Sequence, residues 1–147
     1  LLWYGADVEG DAEGMAFRLE LKRVFDVDAP DSSVTMPAPF EITFPVGGEV
    51  ISRDDDLSLA WEPGGTADRM TLSINGECIN SYQEDLDDDG LHNLPPASLR
   101  RGDFADLDTC EATLVLARVR DGVVDATYGG GDIEARHVRE LVFTTSP

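Results

Sequence analysis

Leu57-Ser58-Leu59-Ala60-Trp61 and Met70-Thr71-Leu72-Ser73-Ile74 are the two stretches that decide the fold. In both, every second residue is large and apolar, which is the period of a β-strand with one buried face. Similar alternation occurs at 15–21, 40–44 and 112–116, a late strand is expected at 138–144, and turn-forming Gly, Pro and Asp residues separate these stretches. No stretch of a dozen residues shows the helical period without Gly or Pro interrupting it. We therefore predict an all-β chain whose main body is an antiparallel β-sandwich.

The composition is that of a folded and strongly acidic protein. The chain has 30 Asp and Glu against 11 Lys and Arg, a formal charge of −19, and 41% apolar residues. This charge repels nucleic acid and anionic membranes, and it favours cationic partners and divalent metals. No apolar run approaches the roughly 18 residues of a membrane helix. We therefore expect no nucleic-acid partner and no transmembrane segment.

The two cysteines, Cys78 and Cys110, are the main indication of the cellular compartment. They belong to no CxxC motif and no Cys/His cluster, so they form either a disulfide or two buried thiols. A bridge over this separation would stabilise the fold by about 3.7 kcal/mol through loop-closure entropy. We favour the disulfide and, with it, an extracytoplasmic location, either secreted or at the outer surface.

The clearest boundary in the chain is Met36-Pro37-Ala38-Pro39, because two prolines impose extended backbone and remove two sheet donors. We predict an N-terminal strand segment at 1–39 and a sandwich domain at 40–147. The N-terminal segment supplies only two or three strands, too few to bury a core alone. Since Leu1-Leu2-Trp3-Tyr4 begins as if in mid-strand, these strands either pack on the sandwich or end a preceding domain.

Residues 45 to 75 resemble the first strands of fibronectin type III and immunoglobulin-like domains. The likeness rests on Pro45, a glycine turn, the tryptophan strand that ends in Glu62-Pro63, a glycine loop and the strand after it. In those domains a tryptophan on an early strand fills the core between the two sheets. The resemblance therefore implies a fibronectin-like sandwich with Trp61 in its core.

A wider resemblance, over residues 34 to 147, is to uncharacterised secreted lipoproteins of the myxobacterial type. It rests mainly on Met36-Pro37-Ala38-Pro39-Phe40, Gly76-Glu77-Cys78, Pro95-Pro96-Ala97-Ser98-Leu99 and Cys110-Glu111-Ala112-Thr113-Leu114. The resemblance implies export and a lipid anchor carried by a longer precursor, and it transfers no catalytic residue. The lipobox cysteine that such an anchor needs is missing from this sequence, so anchoring stays open.

The most acidic stretch, Glu84-Asp85-Leu86-Asp87-Asp88-Asp89-Gly90, lies between the two cysteines. Asp85, Asp87 and Asp89, followed by a glycine, have the spacing of the first half of a calcium loop, in which alternate carboxylates turn toward one cation. We therefore name these three residues as candidate calcium ligands.

Two observations leave the calcium site open. The twelfth position counted from Asp85 is Pro96, where an EF-hand has glutamate, so further ligands would have to come from Asp103, Asp106 or Asp108. The alternative is an exposed acidic hairpin turn that starts the strand toward Leu94. Asp54-Asp55-Asp56 and His92 are weaker metal candidates, because neither has suitably spaced partner ligands.

Catalytic motifs are absent from the sequence: it contains no GxSxG, no HExxH, no phosphate loop and no Cys/His pair with a free thiol. We predict a non-catalytic extracellular or cell-surface interaction module with a protein or cell-surface partner, and calcium as its candidate stabilising ion. Two alternatives stay open. One is a structural subunit that assembles by strand pairing through the N-terminal strands, and the other is a hydrolase-associated domain.

Overall fold

The computed structural model describes residues 5–10, 12–103 and 105–147, and these residues form the predicted all-β chain. The strands are β1 (Ala16–Leu21), β2 (Ala29–Thr35), β3 (Glu41–Phe44), β4 (Val50–Ser52), β5 (Leu57–Glu62), β6 (Arg69–Gly76), β7 (Ile79–Asp87), β8 (Leu91–Leu94), β9 (Cys110–Asp121) and β10 (Glu134–Ser146). The described residues contain no α-helix, and their one 3-10 turn, Ala126–Tyr128, is far too short to cross a membrane. The strand expected at Leu1–Tyr4 lies outside the described residues.

The strands form three sheets. The largest has the order β4-β10-β9-β6-β7, and the second has the order β3-β5-β8. The third is a two-stranded sheet of β1 and β2. All neighbours are antiparallel except β4 and β10, which are parallel. The alternating stretches that predict strands thus lie in strands, and consecutive strands often belong to different sheets.

One hydrophobic core is built from the two larger sheets, and it explains the period-two pattern. The second sheet contributes Leu57, Leu59 and Trp61 from alternate positions of β5, and all three are buried. The larger sheet contributes Met70, Leu72 and Ile74 of β6, Leu114 and Leu116 of β9, and Phe143 of β10. The predicted burial of Trp61 is confirmed, and the shared core fits a β-sandwich.

The predicted disulfide between Cys78 and Cys110 is present, with Cα atoms 5.7 Å apart. It joins the turn between β6 and β7 to the first residue of β9. Arg53 supports the same region, because its Nη1 donates to the carbonyl oxygen of Asp108 at 2.9 Å. The disulfide therefore holds the end of the long β8–β9 connection against the larger sheet.

The N-terminal hairpin of β1 and β2 packs on the connection between β9 and β10. Ser33 and Val123 exchange two main-chain hydrogen bonds of 2.8 Å. A Cβ atom at Gly122 would clash with the carbonyl oxygen of Ser33, so glycine permits this close approach. Val34, Met36 and Ala135 form a second small cluster at this contact. The domain boundary between 39 and 40 stays a prediction.

Candidate functional site

The acidic stretch runs along strand β7 and then crosses from one sheet to the other. Residues up to Asp87 belong to β7 of the larger sheet, and β8 begins at Leu91 in the second sheet. The expected strand toward Leu94 is therefore present, but the expected hairpin turn is wrong, because β7 and β8 do not pair. The three residues between these strands form an inter-sheet connection.

Alternation along β7 divides the carboxylates between two environments. Asp85, Asp87 and Asp89 are exposed, whereas Leu86 and Asp88 are buried. Successive side chains of a strand point to opposite faces, so the spacing of Asp85 and Asp87 is here that of one strand face, and Asp89 follows in the connection after β7.

The candidate calcium ligands do not converge in this conformation. Asp85 and Asp87 are two strand residues apart, a separation of about 7 Å along the backbone, whereas calcium ligands all lie at about 2.3–2.6 Å from one ion. Within the described ranges, no group of three or more His, Cys, Asp or Glu side chains is placed to hold a metal ion. Asp108, a predicted further ligand, instead pairs with Nε of Arg101 at 2.7 Å. Calcium binding by Asp85, Asp87 and Asp89 stays a prediction.

Asp88, which is not one of the three candidate calcium ligands, forms a buried ion pair. Its Oδ2 lies 2.9 Å from Nε of Arg118, and both side chains are fully buried. Its Oδ1 accepts hydrogen bonds from Nη2 of Arg118 at 2.9 Å and from Nε1 of Trp61 at 2.7 Å. The hydroxyl of Thr66 also donates to Oδ2. Both carboxylate oxygens are therefore satisfied inside the protein.

These contacts keep Asp88 ionised. Burial alone would raise the pKa of its carboxyl, but the hydrogen bonds from Thr66, Arg118 and Trp61 and the charge of Arg118 outweigh burial and lower that pKa. The pair is a structural element, since both side chains are buried away from solvent.

Arg118 also fixes the proline segment that the sequence marks as a boundary. Its Nη1 donates to the carbonyl oxygens of Ala38 at 2.9 Å and Pro39 at 3.2 Å, and its Nη2 donates to that of Pro63. Its guanidinium lies 5.0 Å from the ring centroid of Phe40. Ala38 is buried, so this segment is fastened to the core and is not an exposed linker.

An open depression lies between the edges of β7 and β8. It has a volume of about 230 Å³ and is lined by Glu84, Asp85, Leu86, Asp87, Asp89, Leu91 and His92. Small-molecule pockets usually measure about 300–1,000 Å³ and are mostly apolar. This shallow acidic depression therefore suits part of a larger cationic partner better than an enclosed ligand.

Glu84 links the two strands that border the depression. Its Oε2 accepts a hydrogen bond from the hydroxyl of Tyr82 at 2.5 Å and lies 3.0 Å from Nε2 of His92 on β8. Burial, together with the hydrogen bond and charge of Glu84, raises the pKa of Tyr82 to about 12. His92 is thus bonded locally, to Glu84.

The outer edge of β7 is partly covered by the chain itself. Arg101 forms an antiparallel bridge with Ile79, and the amide of Asn80 donates to the carbonyl oxygen of Arg100 at 2.9 Å. From residue 81 to residue 87, no strand among the described residues pairs with this edge. The open edge and the acidic depression beside it form the candidate site.

The two weaker metal candidates belong to no group of three or more possible metal ligands among the residues described. Asp54, Asp55 and Asp56 are exposed in the connection between β4 and β5. His92 has Glu84 as its hydrogen-bond partner.

Comparison with known proteins adds no assignment to this geometry. No protein-family model, curated protein or solved structure matches this chain.

Proposed function

We propose that this protein is a non-catalytic, extracytoplasmic interaction module that binds a cationic part of a protein or cell-surface partner along β7. The observation that carries the proposal is the open β7 edge beside a depression lined by Glu84, Asp85, Asp87 and Asp89. A charge of −19 adds long-range attraction for a basic partner. The disulfide supports export, since disulfides persist in oxidising compartments.

We also propose that the body is a fibronectin type III or immunoglobulin-like sandwich. Support comes from the strand orders β3-β5-β8 and β4-β10-β9-β6-β7, because the chain crosses repeatedly between two sheets that enclose a buried tryptophan. Domains of this kind commonly bind partners through edges and loops on a rigid core. Membership in the secreted myxobacterial-type lipoproteins belongs to the same proposal and rests on the sequence resemblance.

A basic peptide of alternating threonine and lysine tests the proposed function. We expect calorimetry to show binding that weakens with added salt, because the attraction is between exposed charges. Asp85→Asn with Asp87→Asn should weaken binding. The matched control, Asp54→Asn with Asp55→Asn, removes the same charge elsewhere and should leave binding nearly unchanged. If both double variants lose the same amount of peptide affinity, or if the unmodified protein does not bind the peptide, this site is excluded.

Calcium is tested separately by thermal melting. If the site is specific, calcium should raise the melting temperature more than the same concentration of magnesium does. Asp85→Asn with Asp87→Asn should then remove this difference between the two ions. Equal shifts by the two ions would leave the stretch without a calcium role.

A second candidate function is that of a structural subunit assembled through the N-terminal hairpin. The turn between β1 and β2 carries three exposed apolar side chains: Val24 is 87% exposed, Phe25 100% and Val27 66%. One edge of β1 also lacks a strand partner among the residues described. Apolar side chains and open strand edges both promote association.

Sedimentation over a wide range of protein concentration tests this second candidate. Assembly should appear as a concentration-dependent increase in mass that Phe25→Ser reduces. A protein that stays monomeric at the highest concentration would exclude assembly through this hairpin.

A further inference from the structure

We propose that the cationic partner binds as an extended peptide that adds a strand antiparallel to β7, with basic side chains opposite Asp85 and Asp87. This inference rests on the proposed function and specifies how the partner is held. Strand addition to an exposed sheet edge is a recurring mode of peptide recognition, in which main-chain hydrogen bonds supply affinity and side chains supply specificity.

The chain itself shows that this edge accepts an extended basic segment. Arg100-Arg101-Gly102 lies along the first residues of β7, antiparallel to it. The amide of Asn80 donates to the carbonyl oxygen of Arg100 at 2.9 Å, and the amide of Gly102 donates to that of Cys78 at 3.0 Å. A bound peptide would continue this short ladder along the part of β7 that is open.

The main-chain groups of three further residues point to the open edge. In a β-strand, residues whose side chains lie on the same face also point their N–H and C=O groups toward the same neighbouring strand position. Asn80 is exposed, and its amide points away from β6 to Arg100. A β-bulge adds one residue to β7 between Ile79 and Tyr82, so the exposed side chains of Asn80 and Gln83 lie on the same face although they are three positions apart. Gln83, Asp85 and Asp87 are exposed on the same face. Their main-chain groups are therefore directed to the open edge.

The geometry and charge of this edge define the peptide. The distance from Gln83 to Asp87 is about 14 Å, which accommodates about five residues of an added strand. Side chains directly opposite each other on neighbouring strands are about 5 Å apart, so Lys or Arg at alternate positions would meet Asp85 and Asp87. The intervening side chains would face the depression beside Glu84 and His92.

The same charges argue against a second copy of this chain as the occupant. Pairing two β7 edges would place the carboxylates of Asp85 and Asp87 near those of the other copy, and like charges opposite each other destabilise strand pairing. Exposed charge is a common protection of edge strands against self-association. A basic peptide replaces this repulsion by attraction, so the edge discriminates by charge.

The probe is a peptide of about seven alternating threonine and lysine residues, with both ends blocked. Hydrogen exchange measured by NMR should show new protection at the amides of Gln83, Asp85 and Asp87. The amides of Glu84 and Leu86 provide an internal control, because they face β6 and should change little. Uniform small changes in both sets would overturn strand addition.

Two N-methylated peptides separate strand pairing from simple charge attraction. In an antiparallel pair, residues on one face exchange hydrogen bonds directly, so the lysine amides would face β7. Methylation of the lysine amides should weaken binding about tenfold or more, and methylation of the threonine amides should change it little. Both peptides keep every charge.

The outcomes distinguish failure of the inference from failure of the proposed function. If the lysine-methylated peptide binds as tightly as the parent, the acidic edge binds cations but adds no antiparallel strand. If the parent peptide itself does not bind, the proposed function and this inference both fail.

Discussion

Replacing Asp88 by asparagine tests the buried ion pair, and the neighbouring Asp87 supplies a matched control. Asp88→Asn keeps the size of the side chain but leaves the charge of Arg118 buried without a counter-charge. Breaking a buried pair in this way costs about 3–5 kcal/mol. Asp87→Asn makes the same chemical change at an exposed position and should stay within about 0.5 kcal/mol of the unmodified protein.

The expected loss is large compared with the stability of a domain. The free energy of unfolding of natural domains is about 5–15 kcal/mol, so the change at Asp88 removes a substantial part of it. For a chain of this length each kcal/mol corresponds to about 3 °C, which predicts a melting temperature lower by about 10–15 °C. Urea unfolding followed by tryptophan fluorescence measures the free energy directly.

Two results would refute the reasoning about this pair. The first is a pair of asparagine variants with equal stability, which would mean that Asp88 is not buried against Arg118. The second comes from a double-mutant cycle of Asp88→Leu and Arg118→Met, in which the hydrogen bonds of each residue to other groups cancel. If the losses of the two single variants simply add in the double variant, the two side chains do not stabilise each other.

Acid should weaken the contribution of Asp88. Since the folded state lowers its pKa below the unfolded value of about 3.9, the carboxylate stabilises the fold above that pH. The contribution is lost as the pH falls through the lower pKa of the folded state. The stability difference between the unmodified protein and Asp88→Asn should stay level down to about pH 4 and shrink below it. A difference that does not change between neutral pH and pH 2 would contradict this assignment.

Three further predictions concern other parts of the fold. Changing both cysteines to serine should lower the free energy of unfolding by about 3.7 kcal/mol, measured by urea unfolding, and an unchanged midpoint would contradict the role of the bridge. A Cβ at Gly64 would lie 2.6 Å from the Cα of Gly90, so Gly64→Ala should cost about 1–3 kcal/mol by the same measurement. Tyr82 should ionise near pH 12 in an ultraviolet titration assigned with Tyr82→Phe, and Glu84→Gln should lower that pKa toward 10.

The strands follow from the sequence because alternation depends only on neighbouring residues. Trp61 is the clearest case, since its position in an alternating stretch predicts a buried side chain and the structure buries it. The connection after Asp87 could not be predicted in this way, because strand patterns do not show which sheet a strand joins. A hairpin and an inter-sheet connection look alike when both contain Asp and Gly.

The buried pair was missed because composition obscured a readable pattern. Asp88 is two residues after Leu86, and Arg118 is two residues after Leu116, so both occupy positions that alternation assigns to the core. A charged residue at such a position predicts a buried partner of opposite charge. The five carboxylates of this stretch resemble a calcium loop and hide the buried position among exposed ones, and the location of the partner depends on sheet pairing that the sequence does not show.

The way the N-terminal hairpin is attached to the rest of the fold allows its turn to be replaced by another sequence. The main-chain bonds between Ser33 and Val123 and the glycine at 122 hold the hairpin without depending on the side chains at its tip. Arg23 adds hydrogen bonds to the carbonyl oxygens of Thr127 and Tyr128. If Arg23 is kept, residues 24–27 form a natural graft position, at which a foreign recognition sequence could be displayed on an unchanged framework.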